Sequence, residues 1–252
     1  MENIKRDFTA QEKVWVNEQE KLKIKLICND TEEWMSDIDD DKLRYVAGLD
    51  VSYDKDESER GCAALVIYDL TNQSVVYDDK IFVNVTTEYS AGFLAFREVD
   101  FILELVDRFF NSKIGNQYEP QVWLFDGNGL MHPRRFGLAS HIGVLIDRPT
   151  VGVSKSPYHF IPTDRKQFKH NLNLSLVHRG DRFNMTDEKG NILGVALKTK
   201  DSVKNPIYVS IGHRVSLETA IKVVLRCCIQ FKNPEPIRFA DQISREALRN
   251  KK

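Results

Sequence analysis

Four carboxylates in this chain stand where carboxylates are costly. Asp50 follows Val46-Ala47-Gly48-Leu49 inside an apolar run, on the face opposite Leu49 and Val51. An unpaired carboxylate there meets several kcal/mol of desolvation or is forced to protonate. Asp126 closes Val122-Trp123-Leu124-Phe125 and shares the strand parity of Val122 and Leu124. Glu98 stands at helical spacing from Leu94, Phe101, Ile102 and Leu105, on an apolar stripe, with neighbouring Arg97 directed elsewhere. Asp241 shares a helical stripe with Ile237 and Leu248, with Arg238 and Arg245 nearby. Two more ionisable residues end apolar runs: Lys155 after Val151-Gly152-Val153-Ser154, and His213 after Val209-Ser210-Ile211-Gly212. Five of the six have a plain alternative. Asp50 can pair with an arginine or cap a turn, Asp126 can close an Asx turn, and Glu98 can sit in a buried ion pair. Asp241 can form a surface pair with Arg245, and His213 can be structural.

Together they describe chemistry. Carboxylates brought within a few ångströms raise one another's pKa unless a cation intervenes. A carboxylate-rich set with little sulfur or imidazole suits Mg²⁺ or Mn²⁺ rather than Zn²⁺. Two such ions about 3.5–4 Å apart are the recurrent device for in-line phosphodiester cleavage. A lysine beside them can neutralise a phosphate or a transition-state oxygen, and a histidine can orient or protonate water.

The elements that must position these groups follow from periodicity. Short apolar runs ending on a charge read as strands buried on both faces, and in α/β sheets ligands collect beyond the carboxyl ends of such strands. Residues 1–40 read as mainly helical and polar, opened by a capping box at Thr9 and Glu12, with Trp15, Leu22 and Leu26 on one face. Strands are expected at 44–53, 61–70 and 74–85 as an antiparallel meander, then a helix over 92–110 and a strand over 121–126. The small-residue loop Gly127-Asn128-Gly129 and a helix near 134–146 come next, then a strand at 150–155 and a polar connection to about 171. A hairpin surrounds 188–191, a strand covers 206–213, Ser216 caps a helix, and Pro234-Glu235-Pro236 opens a last helix to about 249. Antiparallel strands first and parallel ones after make a mixed α/β sheet with flanking helices, the order of a ribonuclease H-like fold. No repeat or long linker divides the chain, so one domain over 1–252 is expected.

Composition bounds the class without choosing the substrate. Hydrophobic residues make up 42% and charged residues 29%, ordinary for a globular chain of 252 residues. With 36 basic against 37 acidic residues, net charge neither points to nucleic acid nor excludes it. The basic residues nonetheless cluster, at Arg134-Arg135, Arg165-Lys166, Lys198 with Lys200, and in the tail from Arg245 to Lys252. Cys28, Cys62, Cys227 and Cys228 fit no disulfide scaffold and no CxxC pattern, so reduced thiols in an intracellular compartment are expected. No signal core and no apolar run of about 18 residues is present, which argues against a membrane protein.

Five segments carry a resemblance: VAGLDVSYD (46–54), GFLAFREVDFILEL (92–105), DGNGLMHPRRFGLASHIGVLID (126–147), TVGVSK (150–155) and GHRVSLETA (212–220). They closely resemble the endonuclease V family, from about residue 10 to 249. The resemblance implies a ribonuclease H-like fold and Mg²⁺-dependent hydrolysis, with Mn²⁺ able to substitute. It implies recognition of a deaminated base, inosine above all, and cleavage of the second phosphodiester bond on its 3′ side to leave 3′-hydroxyl and 5′-phosphate ends. Asp50 and Asp126 match the family's central metal ligands, Glu98 completes the acidic set, and Asp241 matches a further acidic position of animal members. Lys155 matches the lysine near the scissile phosphate and His213 the histidine near a second metal position. Gly92, Leu94, Gly127 and Gly129 fall where the family encloses a flipped base, and Tyr89 matches the tyrosine that fills the gap the base leaves.

Two departures stand out: Glu88 precedes the wedge tyrosine where many members have proline, and Ser156-Pro157 follows Lys155 where many have a second lysine. The Cys227-Cys228 pair and PEPIRFADQISRE (234–246) resemble the animal branch, whereas His132-Pro133-Arg134-Arg135 is closer to the bacterial form. The reading leans to inosine-containing single-stranded RNA, with deaminated DNA as the other partner, in a monomeric cytoplasmic protein with a nuclear or nucleolar share. A non-catalytic inosine-binding protein on the same fold is the alternative, and a phosphatase or nucleotidase for small substrates is the third reading.

Overall fold

The structure, a computed structural model, describes residues 8–38, 42–57, 59–157 and 164–250. Its centre is an eight-stranded mixed sheet. The chain opens with α1 (Ala10–Lys23), started by the capping box of Thr9 and Glu12, and a 3₁₀ turn (Glu33–Asp37). The antiparallel meander β1 (Tyr45–Tyr53), β2 (Arg60–Asp69) and β3 (Ser74–Asn84) follows as expected. Helix α2 (Ala95–Phe110) then leads to β4 (Val122–Asp126), α3 (Leu138–Ile146) and β5 (Thr150–Ser154). Next come α4 (Arg165–Ser175), β6 (Arg182–Thr186), β7 (Ile192–Leu197), β8 (Ile207–His213), α5 (Leu217–Cys227) and α6 (Glu235–Asn250). Strand order is β3-β2-β1-β4-β5-β8-β7-β6.

Alternation along the central strands divides the core in two. On one face Val46, Val122, Leu124, Val151 and Val153 pack with residues of α5 and α6. On the other, Ala47, Leu49, Trp123 and Phe125 meet Ile102, Leu105 and Phe109 of α2 and Ile142 of α3. Each fully buried leucine or phenylalanine here is worth about 2–5 kcal/mol against truncation to alanine, so both helix layers are firmly held to the sheet.

The structure departs from expectation at three places: α1 stops at Lys23, so Leu26 lies beyond the helix on whose face it was expected, and two later elements differ as well. Helix α4 occupies part of what reads as a polar connection; its side chains are polar apart from Phe168, Leu172 and Leu174, and Asp164 caps it by accepting from Gln167 N. Strand β8 runs antiparallel to β5, not parallel. It enters the sheet as the last member of the β6–β7–β8 meander, and antiparallel hairpins on both sides of β7 fix its direction. Residue 58 of the expected 54–60 turn, residues 158–163 of the polar connection and the basic pair at 251–252 lie outside the described residues.

Candidate metal centre and neighbouring cavity

Register brings the first two carboxylates together. In the parallel pair β1–β4, Leu49 stands opposite Phe125, so Asp50 and Asp126 come next on adjacent strands, about 4.8 Å apart. Both project to the face that carries Val46 and Val122. Helix α6 crosses that face and rests directly on Gly48, where a Cβ would lie 2.2 Å from the Pro236 carbonyl carbon. From Pro236 to Asp241 a helix rises about 7.5 Å, and from Gly48 to Asp50 a strand advances about 6.6 Å. The contact therefore delivers Asp241 over Asp50. One carboxylate oxygen from each of Asp50, Asp126 and Asp241 lies within 4.8 Å of the others.

Cations answer this concentration of charge. Lys155, just past β5, places Nζ 2.7 Å from Asp126 Oδ2 and 3.9 Å from Asp241 Oδ1. Arg245, one turn along α6, donates to Asp241 Oδ1 at 2.9 Å. The Asp241–Arg245 pair expected for a surface helix thus exists, yet the same carboxylate also faces the cluster. Two buried hydroxyls fix Asp50. Ser52 Oγ stands 3.1 Å and Ser244 Oγ 3.2 Å from Asp50 Oδ2, and the two hydroxyls are 2.8 Å apart.

The electrostatics show a site short of positive charge. Burial, then repulsion from Asp126 and Asp241, pushes the Asp50 carboxyl up to about 6, despite Lys155 and Ser52. Burial alone would lower the Lys155 ammonium, but Asp126, Asp241 and Asp50 outweigh it and raise it. An all-oxygen donor set that lifts its own pKa and draws in an ammonium fits a hard divalent cation. Asp50, Asp126 and Asp241 form a group able to hold a metal ion. They line an open cleft of about 660 Å³ that continues past Tyr53, Lys55, Arg245 and Arg249.

Glu98 lies behind this group. It stands in the first turn of α2, buried, and Oε1 accepts a 2.7 Å hydrogen bond from Tyr53 Oη. Burial pushes its carboxyl up to about 8, against the Tyr53 bond and with help from Asp50 and Asp126. The Arg97 guanidinium, expected to point away, packs 4.5 Å above the Tyr53 ring and lowers Glu98 slightly.

His213 is a correction. Thr150 pairs with His213 and Ser154 with Tyr208, so His213 lies at the end of the sheet opposite Lys155. Its Nδ1 accepts from Ile27 N at 3.2 Å and its Nε2 stands 3.4 Å from Asp147. Ending an apolar run marked it, but periodicity does not reveal which way a strand runs.

Beside the cleft is a smaller cavity of about 100 Å³, lined by Tyr89, Gly92, Leu94, Asn128, His132 and Leu138, among others. Tyr89 is 63% exposed at its edge. Gly92 has φ +84°, and a Cβ there would press on Arg134 and His132. Gly127 and Gly129, expected on the wall, are not among the lining residues. Their small size serves packing: a Cβ on Gly129 would lie 1.9 Å from the Ile211 carbonyl oxygen, and one on Gly127 would meet Leu138. Asn128 between them faces the cavity instead, its Oδ1 accepting from Ser154 Oγ at 2.9 Å.

Sequence reasoning also missed Ser52, Ser244 and Gln19. Gln19 carried a signal, being polar at helical spacing from Trp15 and Leu22 on the apolar face of α1. Ser244 carried a weaker one, as a small polar residue one turn beyond Asp241.

Asp50 within β1, Asp126 and Lys155 at the carboxyl ends of β4 and β5, and Asp241 from the helix across them, on a ribonuclease H-like sheet, are the arrangement of the nucleases and related phosphoryl-transfer enzymes of that fold. Comparison with known proteins narrows the class. The family described as endonuclease V matches residues 30–242. Human endonuclease V is 42% identical over 236 residues, covering 94% of this chain and 83% of the human protein. The solved catalytic domain of human endonuclease V superposes with a TM-score of 0.91 at 41% identity, over 97% of this chain and 98% of that one. Endonuclease V of Ciona intestinalis, solved with a 24mer DNA containing an inosine followed by a ribo-adenosine, gives 0.86 at 34% identity, over 97% and 100%. This chain belongs to the endonuclease V family and is a nuclease. Among the described residues no helix is long and apolar enough to cross a membrane.

Proposed function

We propose that this protein is a divalent-metal-dependent endonuclease that cuts the second phosphodiester bond on the 3′ side of an inosine. Its substrate is single-stranded RNA first and deaminated DNA second, and the products carry 3′-hydroxyl and 5′-phosphate ends. The convergence of Asp50, Asp126 and Asp241 within 4.8 Å carries this reading. These residues would hold Mg²⁺, or Mn²⁺ in its place, which when bound supplies Lewis-acid polarisation and charge neutralisation at the scissile phosphate.

The chain's own groups take the remaining roles. Ser52 and Ser244 hold Asp50 in one orientation, so the carboxylate does not have to reorganise during reaction. Lys155, a compact charge on a flexible stem, meets a non-bridging phosphate oxygen from its position beside Asp126. Glu98, whose burial raises its carboxyl against the hydrogen bond donated by Tyr53, stands behind the cluster as the fourth acidic group and would lose its proton once a cation is bound nearby.

The cavity lined by Gly92, Leu94 and Asn128 receives the extruded base, and exposed Tyr89 fills the space it leaves in the stack. Asp126 lines the cleft and Asn128 the cavity, two residues on along the same loop, at most about 7 Å of backbone. Adjacent but separate compartments favour cleavage beside the recognised nucleotide and not at it. The Ciona relative was solved with a ribose directly after the inosine. A 2′-hydroxyl is the group by which a protein distinguishes RNA from DNA, and this favours RNA here.

The test uses end-labelled single-stranded RNA and DNA, each with one inosine, incubated with Mg²⁺, Mn²⁺ or EDTA. Metal-dependent cutting one nucleotide beyond the inosine, abolished in Asp50→Ala with binding retained, is the expected result. Retention without cutting would make the protein a binder, and attack on mononucleotides alone would make it a nucleotidase.

A further inference from the structure

The loop that bears Tyr89 and Gly92 lies between β3 and α2 and has no strand or helix partner of its own. Much of its order comes from α1, 73–78 residues earlier in the chain. Glu12, Trp15 and Gln19 stand at i, i+3 and i+7, which places them on one helix stripe. All three turn toward the loop and the start of α2.

Glu12 is buried and uses both oxygens. Oε2 accepts from Thr9 N at 2.9 Å and closes the capping box, while Oε1 accepts from Ser90 Oγ at 2.6 Å. The Trp15 ring lies 5.4 Å from Phe93 and stacks at 5.2 Å on Phe96. Gln19, 1% exposed, donates through Nε2 to the carbonyls of Phe136 at 3.1 Å and Gly92 at 3.5 Å, and accepts from Arg134 Nε. Arg134 and His132 also donate to the Gly92 carbonyl, the latter at 3.0 Å. That contact requires the His132 proton on Nε2, which agrees with Nδ1 accepting from Arg134 N.

A glycine at positive φ thus has its carbonyl held by three side chains, Gln19, Arg134 and His132, the first two bonded directly to each other. Loose loops move on the nanosecond to microsecond scale. A loop with its serine, its phenylalanine and its glycine carbonyl each secured is pre-organised, and pre-organisation lowers the entropy lost on binding. Helix α1 lies wholly before residue 30, where the family match begins.

We infer that α1 is the brace of the base-recognition loop, with Glu12 as a positioning residue and Gln19 as both an anchor of the loop and part of the cavity wall, the two together setting how tightly the flipped base is captured. Neither residue touches the carboxylate trio, so the brace governs substrate capture and leaves the chemical step alone. This rests on the reading that the cavity receives the base.

The test uses the full chain with Gln19→Leu, which keeps bulk and removes the polar links, and Ser90→Ala, which releases Glu12 without altering α1. Ser90→Thr restores the hydroxyl. In the free protein, amide hydrogen exchange over 88–94 is expected to quicken about tenfold in the first two variants and to return in Ser90→Thr, as unsecured loops open more often. On inosine RNA, KM is expected to rise about tenfold with kcat within about twofold, the signature of lost uniform binding. Unchanged exchange and KM in both variants, a fall in kcat at constant KM, or exchange that quickens along the whole chain would each overturn the brace. Wild-type protein assayed on adenosine RNA separates the two claims. Equal cutting of adenosine and inosine RNA would refute the base cavity, while the exchange data would still judge the brace.

Discussion

Gly48→Ala tests the way the trio is assembled while leaving every charged group in place. The new Cβ would lie 2.2 Å from the Pro236 carbonyl carbon, 2.5 Å from its oxygen and 2.6 Å from Ile237 N. All three are backbone atoms at the start of α6, so no side chain can rotate out of the way. Helix α6 must retreat by about 1 Å to reach ordinary contact, carrying Asp241 with it, while Asp50 and Asp126 stay fixed by β1 and β4. Overpacking of this kind costs about 1–3 kcal/mol. At about 2–4 °C per kcal/mol for a chain of this size, Tm should fall by roughly 2–12 °C. The functional loss should be larger, because a misplacement of about 1 Å can cost on the order of 10²-fold in rate. Single-turnover cleavage of inosine RNA, followed across a Mn²⁺ titration well below Tm, should show a lower plateau and a midpoint shifted to higher metal. A variant with wild-type plateau and midpoint would refute the claim that the seat on Gly48 positions Asp241.

The other predictions concern single groups. Asp50 and Glu98 bind protons more tightly folded, at about 6 and about 8, than at their ordinary 3.8 and 4.5. The folded chain therefore holds more protons across that window, and their contribution to stability falls as pH rises through it. Relative to an Asp50→Asn/Glu98→Gln double variant, Tm of the metal-free protein should rise on acidification from pH 8 to pH 5; a constant difference would contradict the shifts. His213→Ala should keep cleavage within about twofold while losing about 1–3 kcal/mol, since it strands the Ile27 amide far from the trio; a hundredfold loss of rate would restore His213 to the site. Tyr89→Ala should weaken binding of inosine in a duplex more than in a single strand, because only the duplex leaves a gap to fill. Equal effects by fluorescence anisotropy would remove Tyr89 from that role.

The strands and helices that make the trio were readable because their burial is periodic. Asp50 and Asp126 each break an apolar run at a definite parity, and that parity fixed their common face. Asp241 was readable as a carboxylate on an apolar stripe, although the neighbouring Arg245 gave an equally good local account of it. Other features depend on relations between segments that no local pattern encodes. A stripe puts Glu98 toward the core but cannot say that Tyr53 holds it behind the metal group. A strand pattern has no direction, so Lys155 and His213 looked alike although β8 turns His213 to the far end of the sheet. Small residues at Gly127 and Gly129 suggested room for a ligand, whereas they make room for Ile211 and Leu138. Helix α4 escaped notice because its exposed, polar face leaves little amphipathic contrast.

Helix α6 lies far along the sequence from β1 and β4, and it supplies the third carboxylate. Without α6 seated on Gly48, Asp50 and Asp126 would face a bare sheet, with too few ligands for a firm ion. Metal affinity is thereby tied to one tertiary contact: whatever loosens α6 from the sheet also takes a ligand from the ion.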